Sequence, residues 1–150
     1  ILNDSLSQLK IISENSTQFN QQFLENNFHT IVRELIENQP NTNINFQYDL
    51  DEHIEIISFN ENLKLNLYRI IQEIIQNIHK HSQAKNASIK ICIKENIITL
   101  IIKDDGIGMN VSKAKKGIGM SNIYKRIEEI NGDLEILLNN GTAFIINVKL

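Results

Sequence analysis

The sequence is poor in the residues that would staple or anchor a chain. It has one cysteine, Cys92, which excludes an internal disulfide framework and a cysteine-built zinc site. It has one proline and no tryptophan. No apolar run approaches the ~20 residues of a membrane span. Neither sign of charge dominates: 15 Lys and Arg stand against 18 Asp and Glu, a net charge of -3. That balance offers no basic footprint for direct nucleic-acid binding. No signal peptide is seen, and the chain, starting at Ile1, reads as a piece of a longer protein. Any membrane anchor is expected in regions outside this chain. What is present is the composition of a globular domain, 41% hydrophobic and 22% charged. The 150 residues suffice for one real core.

The chain divides near Pro40. Residues 1–38 carry apolar side chains at helical spacing, from Leu2, Leu6, Leu9 and Ile12 through Phe19 and Phe23 to Ile31, Val32, Leu35 and Ile36. This predicts one long helix or two stacked ones. From Ile44 the period becomes two, and Ile44, Phe46, Tyr48 and Leu50 predict a half-buried strand. A short apolar piece, 53–59, follows. A helix is expected from Asn60 or Glu61 to about His81, and a strand pair over 87–94 and 97–103 joined at Glu95-Asn96. Residues 104–116 read as a loop, 121–130 as a helix ended by Asn131-Gly132. Two last strands, 133–138 and 142–150, are joined by Asn139-Asn140-Gly141. Strands that come in hairpins predict an α+β layer fold, helices on one face of a sheet.

Four segments could carry chemistry. On the helix 61–81, Glu73 and Asn77 lie four apart and so on one face. They are either solvated neighbours of a core stripe or oxygen donors for a hydrated Mg²⁺, which needs only one or two protein ligands beside phosphate. Lys80, His81 and Lys85 add positive charge nearby. In Asp104-Asp105-Gly106-Ile107-Gly108-Met109 a strand runs into an acidic pair and two glycines. This is a turn, or a carboxylate that accepts from an exocyclic amine beside backbone that approaches a ring closely. In Lys115-Lys116-Gly117-Ile118-Gly119-Met120-Ser121 a glycine-rich stretch opens a helix. It is a flexible loop with Ser121 as cap, or a phosphate site. Gly141-Thr142 opens the last strand, as a hairpin turn or as a hydroxyl offered to a phosphate or purine edge.

Each segment alone has a plain structural explanation, but their order and spacing are specific. Over residues 61–150 the chain resembles the ATP-binding catalytic domain of bacterial two-component sensor histidine kinases. That domain shares its fold, the Bergerat ATP-binding fold, with DNA gyrase, Hsp90 and MutL. Leu67-Tyr68-Arg69-Ile70-Ile71-Gln72-Glu73, continuing to Asn77 and Lys80-His81-Ser82, resembles the N box. Asp104-x-Gly106-x-Gly108 resembles the G1 box and Gly117-Ile118-Gly119-Met120 the G2 box, followed by the family-like Arg126 and Asn131-Gly132-Asp133-Leu134. Gly141-Thr142 resembles the closing motif, and the N-box wording is similar to the subfamily with helix-turn-helix regulators.

The resemblance implies a two-layer α/β sandwich over 41–150, a mixed sheet with helices on one face, preceded by the helical segment 1–38. It implies ATP held between helices and a lid. Asp104 would bind the adenine amine and Asn77 would ligate Mg²⁺. Glu73 would orient a water at the metal or assist as a base. Gly106, Gly108, Gly117 and Gly119 would shape the lid hinges. Lys80, His81 and Lys116 would sit near the phosphates, and Met120 and Thr142 would complete the pocket. The activity implied is transfer of the γ-phosphate to a histidine and on to a response regulator, in the cytoplasm.

The histidine that accepts phosphate in this family is followed by an acidic residue. None of His29, His53, His79 and His81 fits, so the acceptor is expected upstream of residue 1. Residues 1–38 then read as the distal part of the dimerisation hairpin, through which the full-length protein would form a homodimer. Without the acceptor this chain would bind ATP but not phosphorylate itself in cis. The usual Pro-Gly before the last Gly-Thr is replaced by Asn139-Asn140, which leaves that hairpin's geometry open. Two rivals use the same boxes: a protein serine kinase of the anti-sigma-factor type, and a nucleotide-gated binding module without transfer activity.

Overall fold

A computed structural model describes residues 27–40, 43–55, 60–109 and 117–150. The first part of the expected helical segment, the end of the 53–59 piece, and the lid stretch with Lys113, Lys115 and Lys116 lie outside the described residues.

Helix α1, Phe28–Glu37, is capped by the Asn27 side chain, which accepts from Thr30 N–H at 2.9 Å. Strand β1, Asn45–Leu50, leads through a 3₁₀ turn, Glu52–Glu55, towards α2, Glu61–Asn77. The Asn60 side chain caps α2 by accepting from Leu63 N–H at 2.7 Å. The expected helix to His81 is present only to Asn77; the last turn, Ile78–Ser82, widens into a π turn, and Gln83 closes it with φ 53°. Strands β2, Asn86–Lys94, and β3, Ile97–Asp104, form a hairpin. Its two turn residues, Glu95 and Asn96, both have positive φ, 52° and 62°, as a type I′ turn requires. Helix α3, Ile118–Glu129, precedes the hairpin of β4, Asp133–Leu138, and β5, Thr142–Lys149.

The structure corrects the start of α3. It begins three residues before Ser121, with Gly117 at the N-cap. Gly119 reads as loop because glycine disfavours helices. In the first turn, however, Gly119 lies where a Cβ would press on Asn77 Oδ1 at 3.2 Å.

The sheet order is β1-β2-β3-β5-β4, with β1 parallel to β2 and the other pairs antiparallel. It is the expected α+β arrangement of a mixed sheet and helices. Alternation sorts the faces. Ile89, Ile91, Ile98, Leu100, Ile102, Phe144, Ile146 and Val148 are buried in one core with Ile70, Ile71 and Ile74 of α2 and Ile123 of α3. Of the intervening positions, Lys90 and Lys103 are exposed.

Helix α1 shares this core. Phe28, Ile31, Val32 and Ile36, at the i, i+3, i+4, i+8 spacing of one helix face, are all buried in it. The apolar face of residues 28–37 is therefore taken up by the domain itself and is not left over for a dimer partner.

Ile74 has no exposed surface and sits mid-helix in the core that α2 shares with α3 and the sheet. Ile74→Ala should lower unfolding free energy by about 2–5 kcal/mol. The check is urea denaturation, with a lower midpoint at an unchanged slope.

Candidate functional site

Alternation along β3 fixes the site's first residue. Ile98, Leu100, Ile102 and Asp104 share a face, so the strand that builds the core also delivers a carboxylate to the end of it. Asp104 is paired in register with Thr142, the first residue of β5, which is 5% exposed. Gly141 makes that pairing possible. Its φ is +125°, and a Cβ there would collide with the Asp104 carbonyl oxygen. Asn140, left-handed at φ 51°, turns the chain before it, so the Asn139-Asn140 hairpin closes without Pro-Gly.

The two acidic neighbours do different work. Asp105 acts as a staple to the start of β2. Its Oδ1 accepts from Lys85 N–H at 2.8 Å and Asn86 N–H at 2.9 Å, and its Oδ2 from Asn86 Nδ2 at 2.8 Å. These bonds, those from Asn86 foremost, hold its carboxyl below the usual range. Asp104 goes the other way: burial pushes its carboxyl up, and the charge of Asp105 adds to this. Backbone N–H groups of Gly106, at 2.9 Å from Oδ1, and of Thr142 partly offset the effect.

A second wall comes from α2 and the π turn. Glu73 and Asn77 stand one helical turn apart, and Gly119 of α3 lies against both. The Asn77 Nδ2 donates to the Met120 sulfur at 3.9 Å, which leaves the lone pairs of Oδ1 free to ligate or accept. Lys80 and His81 are exposed on the π turn beside them. His79 faces away: its ring lies 5.3 Å from that of Phe46, and Nε2 is 3.1 Å from Gln39 Oε1. Burial lowers its pKa. Ser82 joins the two walls. Its hydroxyl donates to Ile78 O at 2.7 Å, closing the π turn, and its carbonyl accepts from Ile107 N–H at 2.8 Å. Gly106 must be glycine here, since a Cβ would meet that same carbonyl.

Between the walls is a cleft of about 820 Å³. Glu73, Asn77, Lys80, His81, Asp104, Gly108, Gly117, Gly119, Met120 and Thr142 all line it. Gly106 braces its floor, and Lys116 lies outside the described residues. Sequence reasoning gave no role to Ser82, Ile107, Asn122 and Phe144, which also line the cleft. Phe144 could have been found from the two-residue period after Thr142, and Asn122 from its position three after Gly119. Nothing in the sequence marked Ser82 as the link between walls.

Residues 62–150 match the model of the histidine kinase-, DNA gyrase B-, and HSP90-like ATPase family. The chain belongs to that family. It is 33% identical over 95 residues to the histidine-protein kinase/phosphatase DegS of Brevibacillus brevis, covering 61% of this chain and 25% of that protein. To the sensor histidine kinase ComP of Bacillus subtilis it is 37% identical over 90 residues, covering 58% of this chain and 12% of that protein. The matched region thus spans a quarter or less of these relatives. The fold is that of the histidine kinase AdeS of Acinetobacter baumannii, with TM-score 0.66 and 16% identity over 96% of this chain and 81% of that one. The domain is thus of the ATP-binding catalytic type found in histidine kinases, as the four boxes implied.

Ionising the half-buried Asp104 costs stability; the cost begins to shrink as pH falls through its raised folded pKa and is gone below the unfolded one, where both forms are protonated. Asp104→Asn keeps the oxygen that accepts from Gly106 and removes the charge. It should raise the melting temperature of the ligand-free chain at pH 7, and the gain should shrink as the pH is lowered. Melting curves of both proteins across pH test this.

Proposed function

We propose that this domain binds ATP with Mg²⁺ and transfers the γ-phosphate to a histidine outside it, as part of a sensor histidine kinase that then phosphorylates a response regulator. The observation that carries the reading is the cleft itself. It has a half-buried carboxylate at one end, two side-chain oxygen ligands, a lysine and a histidine on the facing wall, and glycine-bearing backbone on either side.

Asp104 accepts the exocyclic amine of adenine, its acceptor capacity strengthened by partial exclusion of water. Gly106 and Gly108 bring backbone up to the base. Thr142 and Met120 close the pocket around it. Gly117 and Gly119 open α3, whose N-terminal N–H groups lack a side-chain cap and are available to phosphate oxygens. Lys80 and Lys116 offset the phosphate charge, and His81 offers a hydrogen bond to it. The donor set fits Mg²⁺: Glu73 and Asn77 offer hard oxygen, and no three His, Cys, Asp or Glu side chains converge among the described residues. Asn77 Oδ1 would hold the ion, with nucleotide phosphates and water supplying the remaining ligands. When bound, the ion neutralises charge on the phosphates during transfer.

In the transfer, the lone pair of an imidazole nitrogen forms the N–P bond as the bond from the γ-phosphorus to the ADP oxygen breaks. Glu73 and Asp104 are the carboxylates lining the cleft, and Asp104 is engaged with the base. Glu73 is therefore placed to orient the incoming imidazole or take its proton.

The acceptor histidine is assigned to a segment upstream of residue 1. The apolar residues Leu2, Leu6, Leu9, Phe19 and Phe23 are assigned to a homodimer with it. The described residues hold no helix long and apolar enough to cross a membrane. The domain is assigned to the cytoplasm, where ATP and response regulators are, with any membrane attachment through other regions.

Calorimetric titration with ADP and ATP, with and without Mg²⁺, is the first test. Asp104→Asn should weaken binding by roughly 10- to 100-fold, the worth of a charge-assisted hydrogen bond. Equal binding by parent and variant would sink the assignment. Supplied with a separate acceptor segment, the chain should give acid-labile histidine labelling. Serine labelling would favour the serine-kinase reading, and binding without labelling a nucleotide-gated module.

A further inference from the structure

Helices α2 and α3 lie antiparallel: Gly119 sits beside Asn77, and Arg126, two turns further along α3, beside Asn66. Between these ends the buried Met120 and Ile123 of α3 share one apolar core with the isoleucines of α2. Such packing is strong but non-directional, and it tolerates a small slide or rotation of one helix on the other. A hydrogen bond between the helices does not.

Asn66 is 3% exposed, a buried amide on an otherwise apolar stripe. Its orientation is over-determined. Nδ2 donates to the backbone oxygen of Asn62 at 3.0 Å and to Asn62 Oδ1 at 3.1 Å, which turns Oδ1 towards α3. There it accepts from Arg126 Nη1 at 3.2 Å. Arg126 Nε is buried and has no partner among the described residues, and Arg126 forms no ion pair among them. A guanidinium has thus been half-buried against a neutral amide, which adds little net stability. The arrangement is better explained by what it fixes than by what it stabilises.

We propose that Arg126 and Asn66 are a positioning pair that locks the register of α3 on α2, and so sets the first turn of α3 against Glu73, Asn77 and the phosphates. The inference rests on the nucleotide reading above and adds two residues to it that do not line the cleft. The uncapped N–H groups after Gly117 hold phosphate only if they are aimed at it, and their aim is set by the far end of the same helix. Of the groups assigned to adenine only Met120 is on α3, while Asp104, Gly106, Gly108 and Thr142 are not, so the pair should matter more for the phosphates than for the base.

Two variants separate positioning from simple stability. Arg126→Met keeps the aliphatic stem and strands the Asn66 oxygen, so it should lower both the melting temperature and ATP affinity. Asn66→Leu combined with Arg126→Met replaces both polar partners by apolar ones. The freed groups of the exposed Asn62 turn to water, so the melting temperature should return near the parent value. ATP affinity should stay down about tenfold, as expected for misplaced donors, with adenosine affinity within about twofold of the parent. Hydrogen exchange at the amides of residues 121–124, the first to be bonded within α3, measured without nucleotide, should remain faster than in the parent. A double variant that regains parent melting, parent ATP affinity and parent exchange would overturn the proposal. If the parent chain binds no ATP, the nucleotide reading falls. The exchange data then show by themselves whether the pair locks α3; parent-like exchange in the double variant would end that part too.

Discussion

A single half-buried carboxylate organises this domain. Asp104 stands on the core face of β3 because its position has the parity of Ile98, Leu100 and Ile102, so the strand cannot bury those residues without turning the acid inward. Inward means desolvation, which is unfavourable for a charge unless donors meet it. The surroundings meet that demand from backbone: the N–H groups of Gly106 and Thr142, brought close by two glycines whose Cβ atoms would otherwise strike carbonyl oxygens. Asp105, one residue on, ties the loop to the start of β2 so that these donors stay in place. The proposed affinity of the cleft for an amine and the desolvation cost in the ligand-free fold are thus one interaction seen from two sides.

Much of this is legible in the residues themselves, for identifiable reasons. Strand parity places Asp104 at the end of a buried stripe, and the four-residue spacing places Glu73 and Asn77 on one side of a helix. The hairpin at Glu95-Asn96 follows from turn chemistry and the end of α1 from Pro40. The start of α3 is not legible, because Gly117 and Gly119 are poor helix formers. Propensity loses there to a tertiary demand, the close approach of α3 to Asn77. The last turn of α2 is hidden in the same way. Periodicity does not show that five residues will widen into a π turn, since nothing in sequence sets Ser82, whose hydroxyl closes it, apart from other serines. Nor does the change of period at Pro40 show that the apolar face of α1 packs into the same core as the residues after it.

Helix α2 carries both kinds of information along its length. Its buried isoleucines hold α3 and the sheet together without preferring a register, while its polar edge supplies Asn66 at one end and Glu73 and Asn77 at the other. The polar groups specify what the apolar ones only hold. This division explains why a buried asparagine sits on a stripe that any aliphatic side chain would fill.

The sheet topology has a consequence for how the cleft comes into being. The β2–β3 and β4–β5 ladders are hairpins, closed by short turns. The β3–β5 ladder joins segments separated by the whole stretch from Asp104 to Thr142, and its terminal pair is those same two residues. Bringing its strands together carries the larger chain-closure entropy, so it is the slower pairing to form. Half-folded chains with intact hairpins therefore lack the cleft altogether. A ligand that fits it engages only molecules that have closed this ladder, and its binding draws the population towards the finished fold by mass action.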